Sequence, residues 1–212
     1  MTRAKICGLS TPAAVAAALA GEAAFVGFMF FDASPRCVTP EAAASLAGPA
    51  RGKARIVAVA VDPDDALLDR VMNALRPDLI QLHGKESPAR ARQIADRAGV
   101  GVIKVVAVSE AADLAAAEVY EGVAEHLMFD ARTSPAASRP GGMGSTFDWD
   151  LLAGQTFKRP WFLAGGLDPW NVGEAVRRSG APMVDVSSGV ERGPGLKDPA
   201  LIHTFLEAVR RG

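Results

Sequence analysis

Short runs of apolar, β-forming residues recur along this chain, and each is followed by a stretch with helical spacing. The runs cover 4–8, 25–31, 55–61, 79–83, 102–108, 126–130, 161–165 and 183–187, and the helical stretches 12–20, 40–47, 64–75, 88–98, 110–121, 148–153, 169–179 and 199–210. Several helices start with a mechanism: Thr11-Pro12, Thr39-Pro40, Ser87-Pro88, Asp168-Pro169 and Asp198-Pro199 each set a capping side chain before a proline at the first helical position. Strands that are apolar on both faces and alternate with helices belong to a parallel sheet covered on both sides. Eight such units favour closure into a (β/α)8 TIM barrel, an α/β fold in which 1–212 form a single, minimally decorated domain. An open doubly wound sheet uses the same units, but no glycine fingerprint follows the first strand, because Gly8 stands alone before Leu9-Ser10-Thr11.

Composition removes several classes. With 49% hydrophobic and 22% charged residues, a chain of 212 has material for a large core and is not of the disordered type. A net charge of -1 offers no electrostatic footprint for nucleic acid. The apolar stretch 13–31 is long enough to span a bilayer, yet Gly21-Glu22 breaks it into a helix pattern and a strand pattern, so no membrane span is expected. Residues 1–9 hold no apolar core of a secretion signal, and the two cysteines, Cys7 and Cys37, have neither zinc nor redox spacing. A cytoplasmic protein without metal is expected.

In a barrel of this kind the chemistry sits at the C-terminal ends of the strands. The polar residues there are Cys7, Gln81, His83, Asp130, Asp185, Ser187 and Ser188. Alternation sharpens the set: Lys5 shares a face with Cys7, Gln81 with His83, and Asp185 with Ser187, opposite Ile6, Leu82 and Val186. Singly, each has an ordinary explanation, since a cysteine is commonly an inert core residue and an aspartate at a strand end commonly caps the next helix. Ala164-Gly165-Gly166-Leu167 and Val186-Ser187-Ser188-Gly189-Val190 follow the last two strands, where this fold usually holds a phosphate. The Ser-, Pro- and Gly-rich stretch 131–146 follows Asp130 on the same face and reads as a lid or as a tolerated insertion.

Lys5-Ile6-Cys7-Gly8-Leu9, Gln81-Leu82-His83-Gly84, Phe129-Asp130, Gly141-Gly142-Met143-Gly144 with Phe147-Asp148-Trp149, Leu163-Ala164-Gly165-Gly166-Leu167 with Asn171-Val172, and Val184-Asp185-Val186-Ser187-Ser188-Gly189-Val190-Glu191 together resemble the phosphoribosylanthranilate isomerases. The resemblance runs over nearly the whole chain. It implies a cofactor-free Amadori rearrangement in tryptophan biosynthesis, acting on a small phosphorylated substrate. Cys7 is then the general base and Asp130 the general acid. The resemblance also sets Arg36 on the anthranilate carboxylate, Lys5, Gln81, His83 and Asp185 around the substrate, and Gly165, Gly166, Ser187, Ser188 and Gly189 around the phosphate. Gly144 and its neighbours would close over the substrate, with Met143 departing from the small polar residue expected there. Cys37 receives no role, and His126 and His203 are expected to be ordinary, His126 at a strand start on the stable face.

An acid and a base on two sides of a sugar suit such a reaction, but ordinary values near 8.5 and 3.9 leave only about 3% of thiols and 0.1% of carboxyls in the required form at pH 7. Lys5 is therefore expected to lower the Cys7 value, and burial or Asp185 to raise that of Asp130. Three rivals remain: the related isomerase of histidine biosynthesis, whose paired aspartates Cys7 argues against; a lyase or synthase, for which only Lys5 and Lys104 offer a lysine; and a non-catalytic phosphate-binding barrel. Monomer and homodimer are both compatible with a barrel of this size.

Overall fold

The structure is a computed structural model and describes residues 1–132 and 146–212. Eight parallel strands close a barrel in chain order: β1 (Arg3–Ile6), β2 (Phe25–Phe30), β3 (Arg55–Ala60), β4 (Leu79–Leu82), β5 (Gly101–Val108), β6 (His126–Ala131), β7 (Trp161–Leu163) and β8 (Met183–Val186). The seam is made by β1 on β8, with Lys5 opposite Asp185. Outside lie α1 (Pro12–Ala20), α2 (Pro40–Ala47), α3 (Asp65–Ala74), α4 (Pro88–Ala98), α5 (Val172–Ser179) and α6 (Pro199–Arg211). The stretch 13–31 resolves into α1, a turn and β2, and among the described residues no helix is long and apolar enough to cross a membrane.

Thr11, Thr39, Ser87 and Asp198 accept an amide N–H of the first turn, at 3.3, 3.2, 3.2 and 2.8 Å. Asp168 is a capping residue as well. Its Oδ1 accepts from the amides of Trp170 and Asn171, while Asn171 Oδ1 accepts from the Asp168 amide and Asn171 Nδ2 donates to the Gly166 carbonyl. The Val172 amide closes the first turn on the Asp168 carbonyl at 3.1 Å, and regular α-helix, α5, is reached at Val172. The segment Ala111–Tyr120 also departs from the expected α-helix and coils as a tighter 3₁₀ helix. Its inward contacts, buried Leu114 and Ala117 and half-buried Tyr120, recur every third residue, which matches three residues per turn. Trp149–Leu152 is a single turn of the same kind.

Alternation along the strands splits the core in two. Outward residues such as Ile6, Phe28, Ile80, Leu127 and Val184 pack under the helices, and inward ones such as Phe25, Val57, Leu79, Ile103, Met128 and Phe162 fill the barrel. Its lower end is aromatic: Phe25 and Phe162 meet edge to face at 5.1 Å, and the His126 ring lies 6.1 and 5.6 Å from them. Burial pushes His126 down to about 4, so the ring is neutral at physiological pH. Lys104 points the other way, into the sheet–helix layer, where Nζ donates to Glu86 Oε2 at 2.6 Å and to the Gly84 carbonyl at 2.8 Å. That places it outside the barrel mouth and removes it as a catalytic lysine.

Candidate active site

Within the mouth, the residues at the strand ends surround a cavity that opens to solvent. Cys7, one residue past β1, contributes its thiol; Asp130, near the end of β6, contributes its carboxyl; and Gln81, His83 and Asp185 enter from β4 and β8. Gly165, Gly166, Ser187 and Ser188 complete the rim together with Arg36. Lys5 and Gly189 are not among the lining residues. Lys5 is wholly buried one layer below Cys7, because a strand returns to the same face every second residue and Lys5 is the inner of the two. From there it acts on the site through its charge.

Lys5 Nζ bonds Asp185 Oδ1 at 2.8 Å. Burial pulls the ammonium down, but the charge and hydrogen bond of Asp185 outweigh it and hold Lys5 above its ordinary value, fully protonated. For Cys7 the outcome differs from the sequence expectation. Burial pushes the thiol up, and although Lys5 acts downward as foreseen, it does not offset the burial, to which Asp185 adds; the thiol stands above its ordinary value. Lys5 cannot do more because Asp185 already answers its charge.

Asp130 Oδ2 lies 3.2 Å from His83 Nε2, and His83 Nδ1 is 3.4 Å from Gln81 Nε2. The three residues form a row across the mouth, with His83 as the neighbour of Asp130 while Asp185 is engaged by Lys5. Gln81 Oε1 is buried and, among the described residues, has no hydrogen-bond partner.

Gly165 and Gly166 have φ of +89° and +61°, the left-handed region that favours glycine. A Cβ on Gly165 would stand 2.9 Å from Asp130 Oδ1, and one on Gly189 would stand 1.9 Å from the Leu167 carbonyl oxygen. The loops after β7 and β8 therefore touch backbone to backbone and form one concave wall. Ser187 Oγ donates to the Cys7 carbonyl at 3.2 Å, tying that wall to the thiol.

Arg36, in the loop between β2 and α2, is buried rather than solvated. It is 3% exposed, and its Nε and Nη2 make a bidentate pair with Glu191 at 2.7 and 2.8 Å. Lys197 joins them: Nζ lies 2.5 Å from Glu191 Oε1 and donates to the Ser187 carbonyl at 2.9 Å. Sequence reasoning missed Glu191 as a partner of Arg36 and missed Lys197 altogether, since it sits in the two-residue β10 (Leu196–Lys197) that pairs with β9 (Glu191–Gly193) and carries no periodic signal. Gly144 and Met143 belong to residues 133–145, outside the described ones.

A closed parallel barrel with a thiol, a carboxyl and a buried cation cluster around one pocket at its C-terminal face is a (β/α)8-barrel enzyme. Its relatives narrow this. The family model for N-(5'-phosphoribosyl)anthranilate isomerase matches residues 4–208. The N-(5'-phosphoribosyl)anthranilate isomerase of Caulobacter vibrioides is 66% identical over 209 residues, covering 98% of this chain and 95% of that one. Among solved structures, phosphoribosylanthranilate isomerase from Thermotoga maritima superposes with a TM-score of 0.88 at 32% identity over all of both chains. A phosphoribosylanthranilate isomerase in complex with reduced 1-(o-carboxyphenylamino)-1-deoxyribulose 5-phosphate does so with 0.86 at 31%, again over all of both chains. The chain belongs to the N-(5'-phosphoribosyl)anthranilate isomerase family and is an isomerase of tryptophan biosynthesis.

Proposed function

We propose that this chain rearranges N-(5'-phosphoribosyl)anthranilate to the 1-deoxyribulose 5-phosphate isomer with Cys7 as general base and Asp130 as general acid. The observation that carries the assignment is that both groups line one cavity from strands three places apart around the barrel, β1 and β6, so a sugar between them meets a base on one side and an acid on the other. Asp130 gives its proton to the furanose ring oxygen as the C1' to ring-oxygen bond breaks and the anilino nitrogen lone pair forms the protonated imine. Cys7, as thiolate, then takes the C2' proton, and the electrons of that bond neutralise the imine to give an enolamine. Protonation at C1' and loss of the C2' hydroxyl proton give the ketone.

The joined wall of Gly165, Gly166, Ser187, Ser188 and Gly189 suits the phosphate, with Gly189 shaping the wall from behind and the others facing the cavity. Arg36 suits the anthranilate carboxylate. His83, beside Asp130, and Gln81, beside His83, suit the sugar hydroxyls and the proton held by Asp130. Lys5 and Asp185 act from beneath, through the field at Cys7. A reducing, cytoplasmic setting suits a base that must remain a free thiol.

The test is the loss of anthranilate fluorescence when the protein meets freshly generated N-(5'-phosphoribosyl)anthranilate, beside Cys7→Ser and Asp130→Asn. Turnover by the wild type alone supports both roles; turnover at wild-type rate in either variant removes that residue from the mechanism. Arg36→Ala is expected to raise KM about ten- to hundredfold, with little recovery in Arg36→Lys, which cannot fork. An unchanged KM in Arg36→Ala would remove the carboxylate assignment.

A further inference from the structure

We infer that Glu191 is a positioning residue for substrate recognition: it grips the side of the Arg36 guanidinium and so presents the other edge of that group to the substrate's carboxylate. The inference rests on the proposed role of Arg36 and names what makes that role geometrically specific.

A guanidinium offers two forks, the side made by Nε with one terminal nitrogen and the end made by both terminal nitrogens. Glu191 occupies the side fork, Oε1 on Nε at 2.7 Å and Oε2 on Nη2 at 2.8 Å. Among the described residues nothing accepts a hydrogen bond from Nη1, and Arg36 lines the cavity, so the end fork remains for a planar carboxylate. Glu191 cannot itself be a substrate ligand of an anion. Its two oxygens are taken up by Arg36, by Lys197 Nζ at 2.5 Å and by the Gly195 amide at 3.1 Å. Burial pushes the Glu191 carboxyl up, but the hydrogen bonds and charges of Arg36 and Lys197 outweigh it, and the group stays ionised below its ordinary range.

The charge balance points the same way. Two buried cations, Arg36 and Lys197, face one carboxylate, leaving a net positive charge at the rim of the cavity that a bound anion would compensate. Without Glu191 the flexible arginine stem loses its one fixed orientation, and the entropy of ordering it falls on substrate binding.

The experiment is a double-mutant cycle of Arg36→Ala and Glu191→Gln. It reads kcat, KM and inhibition by two ligands, reduced 1-(o-carboxyphenylamino)-1-deoxyribulose 5-phosphate and inorganic phosphate. Glu191→Gln is expected to raise KM about tenfold with kcat changed less than about threefold. It should weaken the carboxyphenyl ligand by the same factor, leave inorganic phosphate unchanged, and add nothing in the Arg36→Ala background. A KM unchanged in Glu191→Gln, an equal loss of phosphate affinity, or an undiminished cost when Arg36 is already alanine would overturn the inference while leaving the role of Arg36 intact. An unchanged KM in Arg36→Ala would instead overturn that role and the inference with it. If Glu191→Gln fails to fold with two cations facing a neutral amide, Glu191→Gln with Lys197→Met keeps the net charge and removes the same fork; it must show the same rise in KM, and a wild-type KM there overturns the inference.

Discussion

At the closed end of the barrel, His126 packs beside Phe25 and Phe162 with its Nδ1 3.6 Å from Glu125 Oε1, and burial, helped by the charges of Arg55 and Arg3, outweighs that carboxylate and keeps the ring neutral. At the open end, the buried charged groups are partnered: Lys5 with Asp185, and Arg36 and Lys197 with Glu191. The same strands and the same alternation build both ends. The difference is that a group with nothing to do can shed its charge when it is buried, whereas groups that meet an anionic substrate must keep theirs and so need partners. Cys7 belongs to the mouth by position but behaves like His126, since burial favours its neutral form. A base of this kind is mostly a thiol in the free enzyme, and the small thiolate fraction rises with pH.

The comparison breaks most visibly at the acid and the base. Cys7→Ser and Asp130→Asn are each expected to lower kcat by roughly 10²–10⁴ while the thermal midpoint of unfolding stays close to that of the wild type. A large loss of stability with either change would mean that the group serves the fold. Next comes Lys5→Met, which leaves Asp185 buried without its partner and is expected to cost about 3–5 kcal/mol in urea unfolding, with Lys5→Met/Asp185→Leu recovering most of it.

His126 sharpens the closed end. Its folded value of about 4 lies below the unfolded value of 6.5, so the unfolded chain takes up the proton first and stability is lost as pH falls through that window. The loss approaches about 3 kcal/mol near pH 4. His126→Phe fills the same aromatic site, and unfolding curves of the two proteins should coincide above pH 7 and diverge below pH 6, the variant being the more stable. Equal acid sensitivity would show that the ring is not buried as described.

Most of the barrel was legible in the sequence because its signals are local. Capping residues act within three or four positions, as at Thr11, Thr39, Ser87 and Asp198. Apolar runs mark strands wherever both faces are covered, and that was enough to order all eight. Asp168 was legible as a cap, but the Asp-Pro signal does not reveal that Asn171 answers it or that the helix becomes regular only at Val172. Cys7 and Asp130 were legible as polar interruptions of apolar strands. The surroundings of Arg36 were not, since its partner Glu191 is 155 positions away and the closing cation Lys197 lies on a two-residue strand. For the same reason Lys5 was foreseen beside Cys7 without the strength of its bond to Asp185, so the sign of the Cys7 displacement came out reversed.

The claim that Cys7 is the base is tested most directly by titrating it twice. One titration is the pH dependence of kcat/KM; the other is the rate at which iodoacetamide alkylates Cys7 in protein carrying Cys37→Ser. The account predicts that both climb with pH to a shared midpoint above the ordinary thiol value of about 8.5. A kcat/KM that reaches its plateau below pH 8 while alkylation is still rising would contradict it and assign the base to another group.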